Sequence, residues 1–351
     1  MRRRKRALIV TIWGIGNYGN RLQNYAVAQI IRSKGIAPIT LASKTEDESK
    51  MVLLIKDLVR TLLFLCSNGK KRAIEVRKKR FREFNRKYIP SSDCEASILL
   101  QQSDYIFIGS DQIWNANYVE LDGLNYGKMA NKEKIICISP SFGVSGFDDK
   151  TEKQIAGYLE GIEHICIREK SGAELIKRLT GRNVPIFLDP TLMISDKDWE
   201  KIEKRPKNVP LKKYLLKYFL GDESDVSICE ANSIMEKYEL EEVKLLDITR
   251  PWEYIVNPEE FVYLIHHADI VLTDSFHACV FSILFKKPFW VYNRTDSEMS
   301  SRMDTLFQSL EIDNRFIHDA NAPYEINYTN VENRLNYERA RFDNYINEIV
   351  W

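Results

Sequence analysis

The sequence predicts an α/β protein made of two doubly wound, Rossmann-like domains that face each other across a cleft. Three observations carry that expectation. Short apolar runs rich in β-branched residues alternate with helix-period segments along nearly the whole chain, the rhythm of a parallel sheet with crossover helices. The alternation pauses once, in a polar stretch from Asp196 to Lys213 that holds Pro206 and Pro210, and then restarts. Several apolar runs end abruptly in Gly, Asp or Ser and pass directly into a helical pattern, as strands do at the ligand edge of an open sheet.

Taken in order, Leu8–Trp13 is the first strand, preceded by the basic lead-in Arg2 to Arg6. A secretory leader would need a longer apolar run and a small-residue cleavage site, and Gly14 onward supplies neither. A glycine turn leads into a helix with Leu22, Ala26 and Ile30 on its apolar face, ended by Gly35. Pro38–Ala42 is the second strand. Met51–Cys66, broken by Lys56, Asp57 and Arg60, and the basic tract Lys70–Lys87 read as two amphipathic helices. The same segments, 51–88, also suit a peripheral in-plane contact with anionic lipid. Short strands follow at Tyr105–Gly109, Ile135–Ser139, Ile165–Arg168 and Val184–Leu188, with helices over Lys150–Glu160 and Lys170–Leu179.

After the polar stretch the order is strand Tyr214–Leu220, helix Asp225–Lys237, strand Val243–Ile248, helix Pro258–His267 and strand Ile270–Thr273. Helix Phe276–Phe285, strand Pro288–Tyr292 and helix Arg302–Leu310 complete the second set. The expected division is a first domain over 1–195, a linker over 196–213, a second domain over 214–330 and a terminal helix over 331–351 able to cross back onto the first.

Composition narrows the function classes. The 351 residues are 44% hydrophobic and 29% charged, with a net charge of +1, which fits a globular protein and excludes nucleic-acid binding by bulk electrostatics. No run reaches the ~18 apolar residues that span a bilayer. Six cysteines are scattered without CxxC spacing; Cys137, Cys166 and Cys279 sit in apolar runs, as buried thiols do. The expected location is the cytoplasm, with 51–88 as a peripheral contact at the inner face of the membrane. No residue spacing marks a metal site.

Four constellations carry chemistry. Ala268–Thr273 ends in Asp274–Ser275, and a helix starts with His277 in its first turn. That places an imidazole, an N-cap hydroxyl and backbone N–H groups at a sheet's carboxyl edge, a setting for an anion. Arg294 and Arg302, at the next strand end and helix start, are positioned to reach the same edge. A lone histidine is ordinarily structural, and His266 and His267 read that way.

The second constellation is Gly14–Ile15–Gly16–Asn17–Tyr18–Gly19, which satisfies GxGxxG. The acidic partner that a dinucleotide ribose needs is missing, since no carboxylate follows strand two before Glu46. Asn17, Asn20, Arg21, Gln23 and Asn24 crowd this turn instead, either to cap the helix or to bind sugar hydroxyls. The third is Gly109–Ser110–Asp111–Gln112–Ile113–Trp114–Asn115, where Asp111, Gln112 and Asn115 beside the Trp114 ring suit a sugar. The fourth is Arg168, leaving an apolar strand. It either meets a carboxylate such as Asp189 or points into the cleft at an anionic ligand.

Gly16–Asn17–Tyr18–Gly19–Asn20–Arg21–Leu22–Gln23–Asn24, Gly109–Ser110–Asp111–Gln112–Ile113–Trp114–Asn115, Asp189–Pro190–Thr191–Leu192 and Thr273–Asp274–Ser275–Phe276–His277 occur in this order. The set resembles the polysaccharide pyruvyl transferase family over residues 7 to 310. The resemblance implies a GT-B-like fold, phosphoenolpyruvate as donor, no further cofactor, and a hexose of a cell-surface glycan precursor as acceptor, free or lipid-linked. The product is a cyclic pyruvate ketal. Donor binding then falls on His277 and Arg168, with Ser275, Arg294 and Arg302; Asn17, Asn20, Arg21, Gln23, Asn24, Gln112, Trp114 and Asn115 form the acceptor side. His277 is the expected acid or phosphate holder and Asp111 the expected hydroxyl base. One departure stands out: better-known members have Arg-Leu-His where this chain has Ser275–Phe276–His277, and Arg294 or Arg302 is the candidate replacement. A nucleotide-sugar glycosyltransferase on the same fold and a non-catalytic glycan-binding protein are the alternatives.

Overall fold

Five parallel strands form the first sheet of the computed structural model, in the order β3-β2-β1-β4-β5: β1 Arg6–Val10, β2 Ala37–Leu41, β3 Ser91–Ser92, β4 Tyr105–Ile108 and β5 Ile135–Cys137. Four more form the second, in the order β7-β6-β8-β9: β6 Tyr214–Tyr218, β7 Glu241–Lys244, β8 Ile270–Thr273 and β9 Phe289–Val291, again all parallel. The structure describes residues 3–14, 16–42, 69–294, 300–313, 315–316 and 326–350. The two Rossmann-like α/β units expected from the sequence are therefore present. Each sheet winds both ways from its first strand, so each has a crevice at its carboxyl edge, between β1 and β4 and between β6 and β8.

β4 and β8 read as nearly continuous apolar runs, and β6, interrupted by Lys217, which pairs with Glu223 and Glu242, is like β8 buried at every position. Three sequence expectations need correction. Ile165–Arg168 and Val184–Leu188 are not ladders but single bridges, Ile136 to His164 and Ile167 to Ile186. The Arg168 N–H donates to the Pro140 carbonyl (3.0 Å), so isolated backbone bonds rather than a continuous ladder join this segment to the one after β5. The strand expected at Val243–Ile248 lies earlier, at Glu241–Lys244, since Leu246 takes a left-handed φ of 67° that ends extension. The polar stretch from Asp196 opens as a helix, Asp196–Glu200, capped by Ser195. Its Trp199 is fully buried, donates its indole N–H to the Thr191 carbonyl (3.1 Å), and packs on Tyr25 and Phe281.

Side chains from both units share one apolar core. Tyr18, at the start of helix Tyr18–Ser33, stacks on Phe261 at 4.4 Å and meets the edge of Tyr218. The basic tract forms helix Gly69–Tyr88, with Arg77, Phe81, Phe84 and Asn85 on its buried face. Arg77 donates to the Tyr18 hydroxyl (2.6 Å) and to the carbonyls of Tyr254 (2.8 Å), Val256 (3.2 Å) and Gly16 (2.8 Å). Arg80 pairs with Glu260 at 2.5 Å, and Lys87 with Glu259 at 2.9 Å. Arg77, Arg80 and Lys87 thus hold the second unit to the first, while Lys70, Lys71, Arg72, Lys78, Lys79 and Arg86 are exposed. Met51–Cys66 lies outside the described residues. Among the described residues no helix is long and apolar enough to cross a membrane.

The last helix, Tyr328–Ile349, returns to the first unit. Arg339 donates to the carbonyls of Leu192 (2.7 Å) and Ile194 (2.9 Å), Phe342 meets Phe187, and the Val350 carbonyl accepts from the Tyr105 hydroxyl (3.1 Å).

Candidate functional site

At the carboxyl edge of β4 the backbone must turn at once, and Gly109 (φ 122°) makes that turn; a Cβ there would lie 2.5 Å from the Ile138 carbonyl oxygen. Asp111 follows, also at positive φ (66°), and its backbone bridges to Pro140. Its carboxylate accepts from the Asn20 amide through Oδ2 and faces Arg168 Nη2 through Oδ1 at 3.3 Å. Arg168 is 3% exposed and sends Nη1 to Asp189 Oδ2 at 2.6 Å. Asp189, fully buried, caps the short helix Pro190–Met193 and accepts the Thr191 N–H (3.0 Å) and hydroxyl (2.7 Å). Of the two readings open for Arg168, the carboxylate partner is what the structure has, and it has two.

The second unit supplies the other half of this cluster. His277, in the first turn of helix Phe276–Leu284, places Nε2 3.6 Å from Asp189 Oδ2, an ion-pair distance too long for a hydrogen bond. The Phe276 ring lies under the Arg168 guanidinium at 4.7 Å and within 5.8 Å of that of Arg302. Gly19, at the start of helix Tyr18–Ser33, lies against the imidazole so closely that a Cβ would overlap the ring. The third glycine of the GxGxxG pattern therefore makes room for a histidine of the other unit.

The electrostatics follow from this packing. Burial works to raise the Asp111 carboxyl, but Arg168, His277 and Arg302 outweigh it and hold Asp111 below the usual carboxylate range. Burial likewise opposes ionisation of Asp189, and His277, Arg168 and the Thr191 N–H overcome it, leaving Asp189 well below that range. Arg302 is the opposite case. Burial and then the like charge of Arg168 push it down to about 10, with only partial relief from Asp111 and Glu169.

Several predicted site residues are otherwise engaged. Arg294 donates Nε to Asp274 Oδ2 at 2.7 Å, and Asp274 also accepts the N–H groups of Leu220 (2.7 Å) and Gly221 (2.8 Å). Ser275 stands at the N-cap position, but its hydroxyl makes no capping bond and its N–H is taken by Thr273 Oγ1 at 2.9 Å. On the acceptor side, Asn17 caps its helix by accepting the Asn20 N–H. Arg21 is fully buried, donates to the Ile12 carbonyl (2.7 Å) and lies over the Trp13 ring. Gln23 joins Thr11 (2.8 Å) to the Ser110 N–H (3.0 Å), and Asn24 accepts from the Thr40 hydroxyl (2.9 Å).

Trp114 is a core residue, 1% exposed, stacked on Tyr126 and donating to the Asn125 carbonyl at 2.9 Å. It offers no platform to a sugar. Asn115 caps the next turn by accepting the Asn117 N–H at 3.0 Å. Gln112, half-buried, lies against Gly143, where a Cβ would overlap its amide. Asp111, expected as a base, has both oxygens engaged. The polar density of these two turns mostly marks buried hydrogen bonding at sheet ends.

Sequence reasoning missed Gly19, Asp189's contact with His277, Phe276 and Glu169. Glu169 is buried and accepts the Phe142 (2.9 Å) and Gly143 (3.2 Å) N–H groups. A carboxylate directly after Arg168 was the available signal.

Two parallel sheets whose carboxyl edges meet over a buried arginine, two carboxylates and a histidine define a GT-B-like α/β protein with a built, charged site between its units. The chain belongs to the polysaccharide pyruvyl transferase family, whose model matches residues 17–297. That span contains every member of the cluster except Arg302. Comparison with curated proteins gives no match. Among solved structures, the chain is similar to an uncharacterized protein of Klebsiella pneumoniae at 14% identity, covering 89% of this chain and 93% of that one with a TM-score of 0.46. It is also similar to the glycotransferase of kitacinnamycin (12% identity, 99% of each chain, TM-score 0.44). A third is the glycosyltransferase SnogD from Streptomyces nogalater (10% identity, 99% and 96%, TM-score 0.41).

Proposed function

We propose that the chain moves the pyruvyl group of phosphoenolpyruvate onto two hydroxyls of one hexose in a cell-surface glycan precursor, as a cyclic ketal. Family membership supports the reaction class. The observation that carries the reading is His277 and Arg302 converging from the second unit on the Arg168–Asp111–Asp189 cluster of the first. The donor carries a carboxylate and a phosphate, and this is where Arg168, His277 and Arg302 all act on one carboxylate, that of Asp111.

In this reading Arg302 and His277 receive the donor's anionic groups, and Arg168, balanced by Asp111 and Asp189, frames them. A proton adds to the enol methylene while one sugar hydroxyl oxygen bonds the adjacent carbon. The second hydroxyl oxygen then bonds the same carbon as phosphate leaves, and the hydroxyl protons balance the methyl group and the departing phosphate. His277 is the acid, held by Asp189 on one side and Gly19 on the other. Asp111 acts as a positioning residue for Arg168 and Asn20 rather than as the hydroxyl base.

Phosphate release from phosphoenolpyruvate, measured with hexose-containing glycan fragments as acceptors, tests the reading. Acceptor-dependent phosphate and a ketal methyl signal in the product are expected, both lost in His277→Ala. Consumption of a nucleotide sugar with phosphoenolpyruvate untouched would support the glycosyltransferase alternative.

A further inference from the structure

Away from that site, Glu203, His266 and His267 bring one ligand atom each within 4.8 Å of one another. We propose that these three side chains bind a divalent transition-metal ion of the zinc and nickel class. Glu203 lies just beyond helix Asp196–Glu200, in the connection between the two sheets, and the histidines end helix Pro258–His267. Glu203 Oε2 is 2.8 Å from His266 Nδ1, and Oε1 is 3.4 Å from His267 Nε2. Ligands bonded at about 2.0–2.2 Å around a tetrahedral ion stand roughly 3.4 Å apart. The contact to His267 has that spacing and the contact to His266 is a shorter hydrogen bond, so admitting the ion requires the carboxylate to draw back from His266 by side-chain rotation.

Successive residues of a helix point about 100° apart, which usually keeps neighbouring histidines from sharing a ligand. Here they present different ring nitrogens, Nδ1 from His266 and Nε2 from His267, and that difference brings them to one carboxylate. Both rings are fixed from behind. His266 stacks on Phe285 with centroids 4.2 Å apart, and His267 on Tyr263 at 4.1 Å. Stacking orients the imidazoles without engaging their nitrogens. Two imidazoles and one carboxylate suit zinc, nickel or copper rather than magnesium or calcium, which prefer all-oxygen sets. The exposed edge at His267 leaves room for water to complete the coordination.

Residue spacing could not reveal this set, because Glu203 stands 63 residues before His266. An ion here would clip the connection between the sheets to the helix that leads into β8, the strand followed by Asp274. The test uses the full chain without an affinity tag, stripped with a chelator and titrated with zinc by calorimetry and with cobalt by visible absorption. One ion per chain is expected, with cobalt bands of low-symmetry coordination and a rise in the thermal midpoint on adding zinc. Glu203→Gln and His267→Ala should each weaken binding by about tenfold or more, with apo thermal midpoints close to that of the parent chain. Absent cobalt bands, or binding unchanged in both variants, would overturn the site and leave the three groups as a hydrogen-bonded clasp.

Discussion

Arg168 and Arg294 both stand at the carboxyl edge of a parallel sheet and both face carboxylates, yet they are held very differently. Arg168 is sealed between Asp111 and Asp189 with the Phe276 ring beneath it. Arg294 pairs with the single carboxylate of Asp274, and its side chain is 22% exposed. The first unit has spent its arginine on building the floor of the site, where charge is balanced before any ligand arrives. The second keeps its arginine near solvent and brings His277 and Arg302 to the same cluster. Where the family's better-known arginine would precede the histidine, Ser275 makes no side-chain cap bond.

The largest expected effect breaks the sealed pair. Arg168→Ala leaves two buried carboxylates without their cation and should cost roughly 3–5 kcal/mol in unfolding free energy, read by denaturant titration. A loss below about 1 kcal/mol would mean that the cluster is not the floor it is taken to be. Next come the groups from the second unit. His277→Gln should lower turnover by about 10²–10⁴ with little change in unfolding midpoint. Gly19→Ala should reproduce much of that loss, because the new methyl displaces the imidazole although alanine itself favours a helix; unchanged turnover would show that the ring's position does not matter.

Smaller effects sharpen the contrast. Arg294→Ala should cost only about 1 kcal/mol, measured beside Arg168→Ala under the same conditions; equal losses would erase the distinction between the two arginines. The pH dependence follows from Asp111 and Asp189, whose folded pKa values are both lowered. Their stabilisation is complete above the ordinary carboxylate value of about 4 and is lost progressively as pH falls through the lower folded values. Asp189→Asn should therefore flatten the acid limb of a stability-versus-pH curve while lowering the plateau above it.

The fold was legible because parallel strands covered on both faces leave continuous apolar runs, as at Ile270–Thr273, and because Gly109 and Gly35 punctuate them. Strand limits were less so. Nothing in Val243–Ile248 announces that Leu246 will turn left-handed, and periodicity does not register that Ile165–Arg168 is held by isolated bridges rather than a ladder. In the site, residue type singled out Arg168, Asp111 and His277, which the fold brings into one cluster. Type alone does not separate a polar group that faces a ligand from one that closes a turn, so Arg21, Asn24 and Trp114 looked like sugar contacts and are core. Gly19 and Asp189 were hidden for another reason: their roles depend on contacts across more than 80 residues of chain, as between Asp189 Oδ2 and His277 Nε2.

The central claim is that a phosphorylated enol acid, not a nucleotide, is the anion this junction receives. Thermal unfolding of the full chain with phosphoenolpyruvate or with nucleotide sugars, in wild type and in Arg302→Ala, tests it most directly. Stabilisation by phosphoenolpyruvate in wild type, lost in Arg302→Ala, is the predicted result. Stabilisation by a nucleotide sugar alone would contradict it.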